Sequence, residues 1–135
     1  MAQVDKEHYF REYDDKRRIM SYWNQVKEVM NCEPETVLEV GIGNGFVSTY
    51  LENRGYSVTT ADIAEDLEPD FIEDVRSLSD SFEEDSFDVV LCAEVLEHIP
   101  FEEFGKALEE IDKVYKKKGN FKFTAPRHLK FLPRF

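Results

Sequence analysis

Three glycines at alternate positions, Gly41, Gly43 and Gly45, directly follow an apolar, β-branched run at residues 36–40. This junction constrains the chain more than any other feature. A short strand that breaks into a turn with little side-chain bulk is where an open α/β sheet lets a ligand approach the backbone. The spacing separates ligand classes. A dinucleotide turn needs G-x-G-x-x-G, and the third position of that pattern is Phe46 here; a P-loop needs a following Gly-Lys-Ser/Thr, which is absent.

The rest of the chain supplies the sheet that such a turn requires. Residues 8–30 carry Ile19, Trp23, Val26 and Met30 at spacings of three and four, which predicts an amphipathic helix packed on that face. A first strand over residues 36–40 is followed by a predicted helix from Asn44 to Asn53, stopped at Gly55. Residues 56–61 read as a second strand that delivers Asp62 at its end. In the acidic stretch that follows, residues 70–72 read as a short edge strand. Residues 87–92 are nearly continuous apolar sequence, as in a central parallel strand covered on both faces. Pro100 opens a helix whose stripe is Phe101, Phe104, Leu108, Ile111 and Tyr115, with Lys116, Lys117 and Lys118 at its end and Gly119 closing it. Residues 120–125 read as a further strand. Alternating strands and helices predict an α/β fold: an open, doubly wound, mostly parallel sheet with right-handed crossovers. The expectation is one domain over residues 1–135, with a helical region at 1–31 and the sheet core at 36–125.

Composition narrows the partners. With 41% hydrophobic and 34% charged residues and no long apolar run, the chain reads as a globular domain of the cytoplasm with no membrane segment and no signal peptide. Its two cysteines, Cys32 and Cys92, lie far apart, as in a reducing compartment. A net charge of −12 disfavours nucleic acid as a partner. The eight basic and no acidic residues from Lys113 onward read as a cationic helix end and tail.

The segment from Glu39 to Gly45, Glu-Val-Gly-Ile-Gly-Asn-Gly, resembles motif I of the class I S-adenosylmethionine-dependent methyltransferases, E/D-x-G-x-G-x-G. Asp62 matches the acidic residue ending the family's second strand, Asp74-Val75 its adenine-side motif, and residues 87–92 its fourth strand. The resemblance implies a Rossmann-like methyltransferase sheet and S-adenosylmethionine as cofactor. It implies cofactor-facing roles for Glu39, Gly41, Gly43, Gly45, Asp62, Ile63, Asp74, Val75 and Cys92. Asp62 would take both ribose hydroxyls, as an acid does in dinucleotide folds. Glu39 either faces the methionine end or is a strand-end carboxylate bonded to a turn. Asp74 either accepts from the adenine amino group or is a solvated acid.

Glu94, Glu97 and His98 follow the fourth strand at i, i+3 and i+4, which on a helical turn gives a common face. They are the catalytic candidates. Their pattern, E-x-x-E-H, is similar to the metal-binding motif of small-RNA 3′-end methyltransferases and to sequences in O-methyltransferases of the ubiquinone pathway. The metal reading stays secondary to one in which His98 acts as a base or packs. Two further expectations follow. About five strands can be read, so the family's last antiparallel pair is taken as missing: either a second copy of the chain or the tail covers the edge, or the chain is a fragment of a longer protein, or it is a reduced form that binds without catalysis. The expected function is methyl transfer to a small-molecule acceptor, with a non-catalytic cofactor-binding or dimerisation module, and a metal-assisted RNA ribose methyltransferase, as alternatives.

Overall fold

The computed structural model describes residue 7, residues 15–93 and residues 95–116. Its elements are helix α1 (Lys16–Asn31), β1 (Thr36–Val40), α2 (Phe46–Asn53), β2 (Ser57–Asp62), β3 (Phe71–Ile72), β4 (Val89–Cys92) and α3 (Phe104–Val114). Short 3-10 turns occupy Glu65–Leu67, Val75–Asp80, Leu96–His98 and Phe101–Glu103. The four strands are all parallel, in the order β3-β2-β1-β4, with Glu39 paired to Thr60 on one side and Leu91 on the other.

Strand alternation sends the two halves of the apolar sequence to opposite faces. Val37, Val89 and Leu91 pack with Tyr22, Val26 and Val29 of α1 and Val47 and Leu51 of α2. Leu38, Val40, Val90 and Cys92 pack on the other face with Val75, Leu78, Ala107, Ile111 and Val114. The sheet is therefore doubly wound, as the alternating pattern predicts. The chain leaves β1 toward one face and its neighbour β4 toward the other. Their carboxyl ends thus flank a topological switch point, the position where ligands of such sheets bind.

Several boundaries differ from the sequence reading for identifiable reasons. Helix α1 starts at an N-cap, Asp15, whose carboxylate accepts from the Arg18 N–H at 2.8 Å. Its buried face is Tyr22, Val26 and Val29; Ile19 and Trp23 are 38% and 44% exposed. Of the predicted stripe Val26 is buried, while Tyr22, outside that stripe, takes an inward place. In the fold the Tyr22 ring stacks on Phe46 at 5.2 Å, and Trp23 meets Tyr50 edge to face at 5.9 Å. Helix α2 begins two residues beyond the expected Asn44, after Gly45 turns at φ 79°. It stops as expected at Gly55, φ 92°.

The β4 ladder begins at Val89 rather than Phe87, because the Asp88 carboxylate caps the entry to β1, accepting from the N–H groups of Glu35 and Thr36 at 2.8 and 3.0 Å. The expected helix from Pro100 to Gly119 is divided. Phe101 lies in the preceding 3-10 turn, where helical spacing does not apply, and is 88% exposed. Helix α3 ends at Val114 because Tyr115 turns extended and pairs in parallel with Phe87, and the Lys116 N–H then donates to the Phe87 carbonyl at 2.8 Å. The expected strand over residues 120–125 and the tail beyond it lie outside the described residues. Among the described residues no helix is long and apolar enough to cross a membrane.

Candidate active site

The ends of β1 and β2 are tied into one cradle. Gly41 continues the ladder, its N–H donating to the Ala61 carbonyl at 2.8 Å, and the chain then turns through positive φ at Gly41 (84°), Gly43 (54°) and Gly45 (79°). Gly41 also lies against the segment after β4: a Cβ built on it would fall 2.3 Å from Val95 Cγ2. Only a hydrogen fits there, so the tip of β1 and the exit of β4 close on each other. Opposite the turn stands Asp62, half-buried at the end of β2. Its Oδ2 accepts from the Ile42 N–H and its Oδ1 from the Ala64 N–H, both at 2.9 Å. One carboxylate thus fixes the glycine turn and the exit of its own strand, with Ile63 half-buried between these bonds.

Glu39 is 4% exposed, on the sheet face covered by α1 and α2, and its Oε2 has no hydrogen-bond partner. Burial, with the nearby carboxylates of Asp62 and Glu52, pushes its carboxyl up to about 8. A buried, unpartnered carboxyl oxygen is costly unless something meets it.

Asp74 caps the turn Val75–Asp80 and is held by Arg76. Its Oδ1 accepts from the Arg76 backbone N–H (2.8 Å) and Nε (2.9 Å), and its Oδ2 from Nη2 (2.6 Å). Those hydrogen bonds hold its carboxyl below the usual carboxylate range. The other end of the guanidinium pairs with Glu103, so the turn is tied to the segment leading into α3. Val75 beside it is buried in the core. Cys92 is fully buried, and burial followed by the charge of Glu97 pushes its thiol up to about 12, which leaves no thiolate for chemistry near neutral pH.

Glu97 and His98 are exposed in the 3-10 turn Leu96–His98, where the sequence spacing had predicted an α-helical turn. Glu94 lies outside the described residues. Among the described residues no group of three or more His, Cys, Asp or Glu side chains is placed to hold a metal ion. Sequence reasoning passed over Val95, Arg76 and Glu103. Val95 could have been noticed as an apolar residue just beyond a buried strand; the Arg76 link spans 27 residues and leaves no local pattern.

A model of the family described as "Methyltransferase domain" matches residues 38–123, more than half of the chain. The chain belongs to the class I S-adenosylmethionine-dependent methyltransferase family. Among the chain's relatives, a ubiquinone biosynthesis O-methyltransferase of Pseudomonas paraeruginosa is 33% identical over 109 residues, covering 71% of this chain and 46% of that protein. One of Hydrogenovibrio crunogenus is 33% identical over 88 residues, covering 56% of this chain and 36% of that protein. The chain therefore spans less than half the length of these curated relatives. Among solved structures, a Pyrococcus horikoshii protein superposes with a TM-score of 0.68 at 26% identity, covering 90% of this chain and 66% of that one. The N-methyltransferase NodS of Bradyrhizobium japonicum, solved with S-adenosyl-L-homocysteine, shares the fold at a TM-score of 0.66 and 16% identity, covering 82% of this chain and 62% of that one.

Proposed function

We propose that this chain binds S-adenosylmethionine at the tips of β1 and β2 and transfers its methyl group to a small-molecule acceptor. The observation that carries the reading is the cradle at the switch point: a turn through three positive-φ glycines, facing Asp62 and lying beside a buried carboxyl with an unpartnered oxygen. The residues present fit the cofactor's groups. Each Asp62 oxygen has one bond to a turn and retains a lone pair for a ribose hydroxyl. Backbone at Gly41, Gly43 and Gly45 gives close approach to the methionine end, and Glu39 suits its ammonium. Ile63 and the backbone of Val75 flank the adenine. Asp74 Oδ2, with one bond from Arg76, keeps an accepting position for the adenine amino group. Cys92 closes the floor at the end of β4.

S-adenosylmethionine, when bound, supplies a methyl carbon already activated by its sulfonium. The chain's own task is then alignment and exclusion of water. The relatives' names favour a hydroxyl oxygen as acceptor. A hydroxyl must lose its proton as it attacks, and Glu94, Glu97 and His98, which follow β4, are the proposed proton-accepting group. A net charge of −12 weighs against a nucleic-acid acceptor.

Calorimetric titration with S-adenosylhomocysteine tests the cofactor site, and incubation of labelled S-adenosylmethionine with small-molecule extract fractions tests transfer. Asp62→Asn keeps one accepting oxygen and replaces the other with a donor. It is expected to weaken S-adenosylhomocysteine binding about 10- to 100-fold, the worth of a charge-assisted hydrogen bond. Absence of any binding by the unaltered chain would overturn the reading.

A further inference from the structure

We propose that Glu39 holds a proton in the cofactor-free protein and releases it to solvent when the ammonium of the methionine end arrives, so that cofactor binding expels a proton. This inference rests on the cofactor reading above and adds its regulation by pH.

The geometry carries it. Glu39 lies in the middle of the sheet, between Thr60 and Leu91 in the ladder, at 4% exposure. Its Oε2 receives no hydrogen bond. Among the described residues, the elements packed on this face bring titratable groups of the wrong sign or none: α2 brings Glu52, β2 brings Asp62, α1 brings the phenol of Tyr22 and β4 brings Leu91. An ionised carboxylate here would have lost most of its water, found no donor at Oε2 and faced two like charges. The neutral acid escapes the like-charge repulsion and most of the desolvation cost, and a raised pKa of about 8 agrees with that. An arriving ammonium reverses the balance. It supplies an N–H donor to the empty oxygen and a compensating charge, so the Glu39 O–H bond breaks and the proton leaves to water.

The sign follows from linkage. The bound state needs the ionised form, so affinity rises with pH up to the free-state pKa near 8 and levels off above it. The Kd for S-adenosylhomocysteine should fall about ninefold from pH 6 to 7 and about fivefold from pH 7 to 8. At pH 7, calorimetry in buffers of different ionisation enthalpy should report about 0.9 proton released per ligand bound, given that pKa. Glu39→Gln should lose this release, while protons exchanged by the ligand's own amine remain and can be subtracted. A second measurement needs no variant. In carbon-13 carboxyl spectra of glutamate-labelled, unliganded protein, one resonance should titrate near pH 8 and move below pH 6 on saturation with S-adenosylhomocysteine. Binding without proton release, or glutamates that all titrate below pH 6 in the free protein, overturns the inference and leaves the cofactor site standing. No binding anywhere from pH 6 to 9 overturns the cofactor reading and the inference with it.

Discussion

At Gly41 a single hydrogen atom decides whether the tip of β1 and the exit of β4 can touch. A methyl there meets Val95 Cγ2 at 2.3 Å and must also be carried at φ 84°. The two penalties are separable. A left-handed non-glycine residue costs about 1–2 kcal/mol, and overpacking costs about 1–3 kcal/mol. Gly41→Ala should therefore lower unfolding free energy by roughly 2–4 kcal/mol, read from urea denaturation. In the Gly41→Ala/Val95→Ala pair the clash is removed and the dihedral penalty stays, so the double variant should show a favourable coupling of about 1–2 kcal/mol. Strict additivity of the two changes would refute the contact. Gly41 and Asp62 stood out in the sequence because strand ends and glycine spacing are local signals. That Asp62 also fastens Ile42 and Ala64, and that Asp74 is engaged by Arg76 and through it by Glu103, was hidden. Those partners are chosen by how separate turns meet in space.

Among the elements, the parallel sheet and its two covered faces were legible because buried strands read as apolar runs and helices as stripes. Ends and rotations were less so, since tertiary contacts set them. Tyr115 leaves its helix for a bridge to Phe87, and Asp88 spends its carboxylate on the start of β1. The rotation of α1 gives the sharpest test at this scale. Val26 is fully buried between the sheet and α2, so Val26→Ala should cost about 2 kcal/mol for two lost methyl groups plus the cavity. Ile19, which the sequence stripe had placed inward, is 38% exposed, so Ile19→Glu should change stability by no more than about 0.5 kcal/mol. Equal losses at the two positions in thermal or urea unfolding would restore the face first read from the sequence.

Over the whole molecule, stability should depend on pH from two opposing sets of carboxyls. Glu110 is nearly buried on α3. Its burial, which alone would raise its pKa, is outweighed by hydrogen bonds from Ser79, Lys106 and Lys113 that bring it down to about 2. The Asp74 carboxyl is likewise lowered, chiefly by Arg76, and that of Asp88 is lowered because backbone bonds outweigh its burial. Groups lowered in the fold add stability above their unfolded values and lose it as pH falls through the folded ones, so they set the acid limb. Glu39 has the opposite sign. Its unfolded form ionises near 4.5 while its folded form keeps its proton to about 8, so the fold loses stability as pH rises across that window and then levels off. The loss is on the order of 5 kcal/mol at most, from a shift of this size. Free protein should thus be most stable near the bottom of that window. Glu39→Gln should flatten the decline toward pH 8 and leave the acid limb intact. Glu110→Gln should blunt the acid limb and leave the decline. Urea midpoints between pH 3 and 9 for the three proteins measure both limbs. A wild-type profile flat from pH 5 to 8 would mean that Glu39 is ionised within the fold, and the cradle would then have to hold a compensating donor before any cofactor enters.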